Sequence, residues 1–170
     1  SLFHWGLIPS WAKDNSMASH MINARVETLN EKPSFRKLVQ TARCLVPATS
    51  WFEWMQDKSR QPFAIKLKNA KLFAMAGLWD TWIDAAGQKV NTFTIITTNA
   101  APGIRHIHER MPLVVPKELQ QDWLSNKTDA ITIATETGQL EFDFYPVSSR
   151  VNSPKNDDEN LLDEFRETLL

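Results

Sequence analysis

Apolar residues follow two rhythms along this chain, and the difference divides it into elements. "QPFAIKLK" at 61–68, "KLFAMAGLWDTW" at 71–82 and "NTFTIITTN" at 91–99 are β-branched and aromatic-rich. The turn-like "MQDKSR", "KNAK" and "DAAGQ" separate them from their neighbours, so the pattern predicts an antiparallel meander. "RCLVPATSWFEWM" at 43–55 reads as a strand interrupted by Pro47, and "LEFDFYPVS" at 140–148 as a strand by strict alternation of Leu140, Phe142 and Phe144. "SLFHWGLIPSWAKD" reads as a strand and turn punctuated by Gly6, Pro9 and Ser10. Helical spacing is rarer. "EKPSFRKLVQTA" places Phe35, Leu38 and Val39 on one side, and "VPKELQQDWLSN" opens on Pro116 with Leu119, Trp123 and Leu124 as its stripe. A loop, "SSRVNSPKND", then leads to an acidic amphipathic helix in "DENLLDEFRETLL". Many strands with few scattered helices predict an α+β fold whose sheet curls into a partial barrel. One domain over 1–170 is expected, with 153–170 as an acidic C-terminal loop and helix.

Composition changes this picture in three places. The 170 residues suffice for a real core, and 42% hydrophobic with 23% charged residues is globular usage. Nineteen basic residues against twenty acidic ones give a net charge of −1, so any phosphate binding must come from a local cluster. Cys44 is the single cysteine, which excludes an intrachain disulfide and points to a reducing cytoplasmic setting. No apolar stretch is long enough to span a bilayer, and no secretory signal is visible. Seven tryptophans against one tyrosine suit a core, and equally a surface on which bases stack.

Three segments carry candidate chemistry. In "WFEW", 51–54, Glu53 stands among aromatics that would desolvate it and raise its pKa toward neutrality, as suits a general acid or base; an edge-strand glutamate with packed neighbours is the alternative. In "INARVET", 22–28, Asn23, Arg25 and Glu27 share one face of an extended segment, opposite Ile22, Ala24 and Val26. An amide beside a guanidinium can hold an oxygen-rich ligand, and an ordinary half-exposed strand has the same pattern. In "HIHERMP", 106–112, the His-x-His spacing suits a metal, but His4 and His20 are the only other histidines, and Pro112 stands where a second zincin histidine would be. A titrating His108 beside a phosphate-pairing Arg110 fits better, with His106 structural.

Together and in this order, these segments resemble the SOS response-associated peptidase (SRAP) family. The resemblance runs to about Asn152, through "WGLIPSWAKD", "INARVET", "EKPSFRKL", "RCLVPATSWFEW", "AGLWDTW", "TFTIITTNA", "IHERMP" and "VSSRVN". It implies mixed, bifurcated β-sheets forming a pseudo-barrel with a few peripheral helices. It also implies a DNA damage response protein, a monomer without cofactor or metal, nucleoid-associated on damage, whose partner is single-stranded DNA with abasic sites. In the family, a cysteine exposed by self-removal of the initiator methionine attacks the ring-opened sugar and closes to a thiazolidine. By resemblance Glu53 is the acid–base carboxylate, His108 moves protons at the aldehyde carbon and phosphate, and Asn23 orients the reacting residue. Arg25 and Arg110 resemble phosphate-holding arginines, and Trp5 and Trp54 aromatics lining the DNA groove.

The chain departs from the family in beginning at Ser1 rather than Met-Cys-Gly-Arg, and in "TSWFEW", where the glycine usual before the aromatic pair is replaced. Cys44 matches an interior position of "RCLVPA", a buried thiol without reactivity. The expectation is an N-terminally truncated member that forms no crosslink as it stands, with exposed sheet edges or an incompletely closed barrel. A non-catalytic module that grips single strands is the alternative function.

Overall fold

The computed structural model describes residues 2–165. Ten strands occupy two sheets. β1 (His4–Trp5), β2 (Asn23–Arg25), β3 (Arg43–Ala48), β6 (Phe73–Ile83), β7 (Lys89–Asn99), β8 (Arg110–Pro112) and β9 (Val114–Val115) form the larger one. β4 (Trp51–Trp54), β5 (Pro62–Leu67) and β10 (Phe142–Pro146) form the smaller, in the order β10-β5-β4. The architecture is α+β with mixed pairing: β1 and β2 run parallel to β7, and the other pairs are antiparallel. It is not a closed barrel.

The expected meander is half present. β6 and β7 form a long hairpin, Gly77↔Ile95 through Ile83↔Lys89. β5 is not its third strand, because it lies in the other sheet between β4 and β10. The segment expected as one interrupted strand is likewise two, and the chain changes sheets at Thr49–Ser50 rather than at Pro47. Pro47 sits inside β3, opposite Ala74; β3 is the end strand of its sheet, where a residue without an N–H is tolerated.

The larger sheet splits. β7 leaves β6 after Ile95 and takes β8 as partner, while the first residues of β6 take β9. Leu113 joins the two branches, donating its N–H to Ile96 O and accepting from Ala76 N–H. Residues 110–115 are therefore a wedge in the sheet, and the bifurcation expected by resemblance is this wedge.

Strand alternation buries both faces. Ala76, Leu78, Ile96, Leu113 and Val115 face the helical side, where they meet Val26, Leu29, Phe35, Leu38, Val39, Trp123 and Ile133. Phe73, Met75, Ile95 and Val114 face the smaller sheet through Trp51, Leu67 and Phe142. Each fully buried side chain of this size contributes about 1.5–3 kcal/mol. The helices are short: α1 (Leu38–Thr41), α2 (Gln120–Leu124) after a 3-10 turn at Lys117–Leu119, and α3 (Ala130–Thr137) capped by Asp129. Trp123 locks α2 onto β3 by donating Nε1–H to Cys44 O at 2.9 Å, and the Arg43 guanidinium stacks 4.2 Å above its ring. Gly6 has φ of +125°, and a Cβ there would stand 2.6 Å from Ala18 O, so the turn after β1 requires glycine.

The expected C-terminal helix is corrected over its described part. Residues Glu159–Leu162 form a 3-10 turn, and Val147 then bridges Glu164. Arg150 on Asp158 at 2.6 Å and the Phe165 N–H on Pro146 O at 2.8 Å tie the segment to the end of β10, which draws it out of helical register. The rest of that expectation, residues 166–170, lies outside the described residues. No helix among the described residues is long and apolar enough to cross a membrane.

Candidate functional site

A cavity of about 830 Å³ opens between the two sheets beside the wedge. Trp5, Asn23, Arg25, Glu53, Trp54, His108 and Arg110 all line it, although they come from four strands and one loop. Each arrives for a local reason. β4 is the edge of its sheet, so side chains from both of its faces, Glu53 and Trp54, reach the opening. β2 ends at Arg25, and its register on β7 (Asn23↔Ile95, Arg25↔Thr97) leaves Asn23 and Arg25 exposed while Ala24 is buried. The chain then turns into a 3-10 turn, Val26–Thr28, so the predicted face does not continue as strand to Glu27.

Glu53 is the electrostatic focus. Its side chain is only 20% exposed, and no hydrogen bond from the described residues holds its carboxylate. Burial pushes its pKa up to about 7, against the opposing pull of His108. The nearest approach is His108 Nδ1 to Glu53 Oε2 at 3.9 Å, beyond a hydrogen bond but within reach of a water or a reacting atom.

His108 is held by the backbone of Arg110. Its Nδ1 lies 3.0 Å from both the N and the O of Arg110. Ladder bonds from Ala100 N–H to Glu109 O and from Leu113 N–H to Ile96 O make Asn99↔Arg110 a non-hydrogen-bonded pair. The Arg110 N–H and C=O therefore point off the free edge of β8 onto the imidazole. Neutral His108 accepts from that N–H, and protonated His108 has the carbonyl to donate to.

Arg110 differs from the sequence expectation in one respect. It lines the cavity, but its guanidinium is committed to the protein. Nη1 donates to Glu27 Oε1 at 2.6 Å and Asn99 Oδ1 at 3.0 Å; Nη2 donates to Glu27 Oε2 at 3.0 Å and Thr97 O at 2.7 Å. Nε is buried without a partner. Arg110 holds the Glu27 carboxyl below the usual carboxylate range. The Arg25 guanidinium, by contrast, makes no hydrogen bond among the described residues, and Lys32 lines the same opening.

The two tryptophans are anchored by their indole N–H groups: Trp5 to Ile22 O at 2.8 Å and Trp54 to Asn152 Oδ1 at 2.7 Å. Trp5 is 50% exposed. Trp51, two residues before Glu53 on the same strand, instead turns inward, edge-on to Phe73 and Phe142, and also lines the cavity. His106 lies edge-on to Phe144 at 5.1 Å and does not line the cavity. Cys44 is half-buried in β3 away from the site, and burial raises its thiol to about 11. No three His, Cys, Asp or Glu among the described residues are grouped to hold a metal ion. Sequence reasoning did not single out Lys32 for this opening, nor Asn99 as a partner of Arg110; it put Glu27 on one face with Asn23 and Arg25 but did not pair it with Arg110.

Comparison with known proteins places the chain in a family. The abasic site processing protein YoqW of Bacillus subtilis is 45% identical over 165 residues, covering 94% of this chain and 74% of that protein. The abasic site processing protein YedK of Escherichia coli is 32% identical over 164 residues, with 93% and 72% covered. HMCES of Rattus norvegicus, another abasic site processing protein, is 28% identical over 188 residues; the match takes in 89% of this chain but 53% of that protein. A crystal structure of a protein from Bacteroides thetaiotaomicron superposes with a TM-score of 0.84 at 31% identity, covering 96% of this chain and 76% of the other. The SOS response associated peptidase (SRAP) family matches residues 1–154, nearly the whole chain, and the chain belongs to that family.

Proposed function

We propose that this cavity binds single-stranded DNA at an abasic site and carries the acid–base groups for covalent capture of the opened sugar. The observation that carries the reading is the convergence of Asn23, Glu53 and His108 on one cavity, with Glu53 half-protonated near pH 7. An abasic sugar must open before its aldehyde can react, and opening needs a proton on the ring oxygen. A carboxylic acid in a tryptophan-walled cavity supplies that proton at neutral pH. Attack by an amine then forms the C–N bond, and the carbinol oxygen leaves as water on taking a second proton. His108, 3.9 Å away, returns protons to Glu53 through water, and the Arg110 peptide accommodates both states of the imidazole. The Asn23 amide orients the nucleophile, Arg25 pairs with a backbone phosphate, and Trp5 and Trp54 offer stacking faces for flanking bases.

The nucleophile implied by family resemblance is an N-terminal cysteine, whose amine forms the imine and whose thiol closes it to a thiazolidine. Cys44 does not fit that role, since its thiol is half-buried, raised to about 11, and not among the residues lining the cavity. The test is incubation of abasic single-stranded DNA with the 170-residue chain and with a longer form that carries the family's whole N-terminal segment, beginning Met-Cys-Gly-Arg. The first is expected to bind without an adduct and the second to give a denaturant-resistant adduct, lost on Glu53→Gln. No adduct from the cysteine-bearing form would refute the proposal and leave a non-catalytic single-strand binder.

A further inference from the structure

We propose that Glu27 is a positioning residue for His108: acting through Arg110, it holds the imidazole in a single neutral form with its proton on Nε2. Arg110 on this account serves the protein frame rather than the DNA. That the fixed form serves abasic-site chemistry rests on the reading above; the frame itself does not.

The argument begins with donors. A guanidinium has five N–H groups, and here four are taken, two by Glu27 and one each by Asn99 and Thr97. The fifth, on Nε, is sealed from solvent. No donor remains for a phosphate unless the fork on Glu27 opens, and the side chain is only 16% exposed. Such a bidentate, partly buried pair is among the stronger charge-assisted contacts, and it joins three pieces of backbone. Glu27 belongs to the turn after β2, Thr97 and Asn99 to β7, and Arg110 to β8. β8 has only three residues and pairs on one side, so its own ladder fixes it weakly. The Arg110 side chain bolts it down.

What is bolted down is the peptide that faces His108. An N–H without an acceptor is costlier to leave than a carbonyl, which has two lone pairs and can be served by water. The Arg110 N–H, 3.0 Å from Nδ1, therefore selects the neutral imidazole whose Nδ1 is bare. Nε2 then carries the proton. The Arg110 carbonyl at 3.0 Å and Glu53 at 3.9 Å are acceptors that favour a proton on Nδ1 instead, but the carbonyl can be served by water and Glu53 is beyond hydrogen-bond distance, so the N–H decides. If β8 shifts so that this N–H leaves hydrogen-bond distance of Nδ1, it no longer favours one form.

The experiment is ¹⁵N NMR of the histidine rings of the 170-residue chain at pH 8.5, without DNA. Wild type is expected to show His108 with a bare-type Nδ1 and a protonated-type Nε2. In Glu27→Ala the two shifts are expected to converge as both neutral forms become populated. Glu27→Gln, isosteric but uncharged, is expected to move the same way by less, and covers the case in which the alanine variant does not fold. Unchanged His4 and His20 signals report an intact fold. A protonated Nδ1 in wild type, or an undisturbed Nε2–H form in a folded Glu27 variant, would overturn the inference. Because no DNA is present, failure here is separate from failure of the proposed function.

Discussion

Replacing Glu53 by glutamine should make the protein more stable above neutral pH while abolishing its proposed acid–base role. The magnitude follows from burial. In the unfolded chain the carboxyl titrates near 4.5, and in the folded chain near 7. A group whose folded value is raised contributes stability below its unfolded value and loses it as pH rises through the folded one. At about 1.36 kcal/mol per pH unit, the full loss is about 3 kcal/mol, and about 2.5 kcal/mol of it falls between pH 5 and pH 8.5. Glutamine has no proton to lose, so the difference between variant and wild type reports this group together with its interaction with His108. Urea unfolding of both proteins at the two pH values measures it. The glutamine variant is expected to gain about 2.5 kcal/mol on wild type between pH 5 and pH 8.5. An equal pH dependence for the two proteins would mean that Glu53 is solvated as in the unfolded chain. The account of its acidity would then fail.

The two arginines should separate cleanly. Arg25→Ala is expected to weaken single-stranded DNA binding and lower the salt slope by roughly one, with an unchanged melting temperature. Arg110→Ala is expected to destabilise by about 1–3 kcal/mol in urea unfolding, because it removes the hydrogen bonds that tie β8 to Glu27, Thr97 and Asn99, while the half-exposed Glu27 can turn to water. Gly77→Ala should cost about 1–3 kcal/mol by the same measurement, since the new Cβ would stand 2.8 Å from Cys44 Sγ and 3.0 Å from the immovable Thr94 O. The Cys44 thiol should resist an aromatic disulfide reagent at pH 8 in the folded protein and react at once in denaturant, as read by absorbance.

Sequence pattern told faces better than partners. The alternation in 71–82 and 91–99 places Met75 and Ile95 on one side and Ala76 and Ile96 on the other, as the two cores require. It says nothing about which strand lies beside which, and so β5 reads as a meander strand although it pairs with β4 and β10. α3 is hidden for another reason: five of its eight residues, Ile131, Thr132, Ile133, Thr135 and Thr137, are β-branched and favour strand. Its one signal is Asp129, whose side chain caps the Thr132 N–H at 2.8 Å. Asn23, Glu53 and His108 are legible because each sits in a short motif of aromatic or charged neighbours. The Arg110 fork is not, because Glu27 lies 83 residues away and only the wedge brings the two together.

The wedge is also why a site can exist here. A continuous sheet would satisfy every backbone group in its interior and leave no peptide free to hold an imidazole. By splitting β6 from β7, residues 110–115 create a short strand with one free edge, and the Arg110 peptide on that edge faces His108. The same split opens the space that β4 borders, so Glu53 is desolvated by burial without being sealed in. Such a carboxyl weakens the fold at neutral pH, and the two-sided core of the larger sheet offsets it. The weakness and the chemistry share one cause, burial of a group that would be ionised in water. Any substitution that relieves one should remove the other.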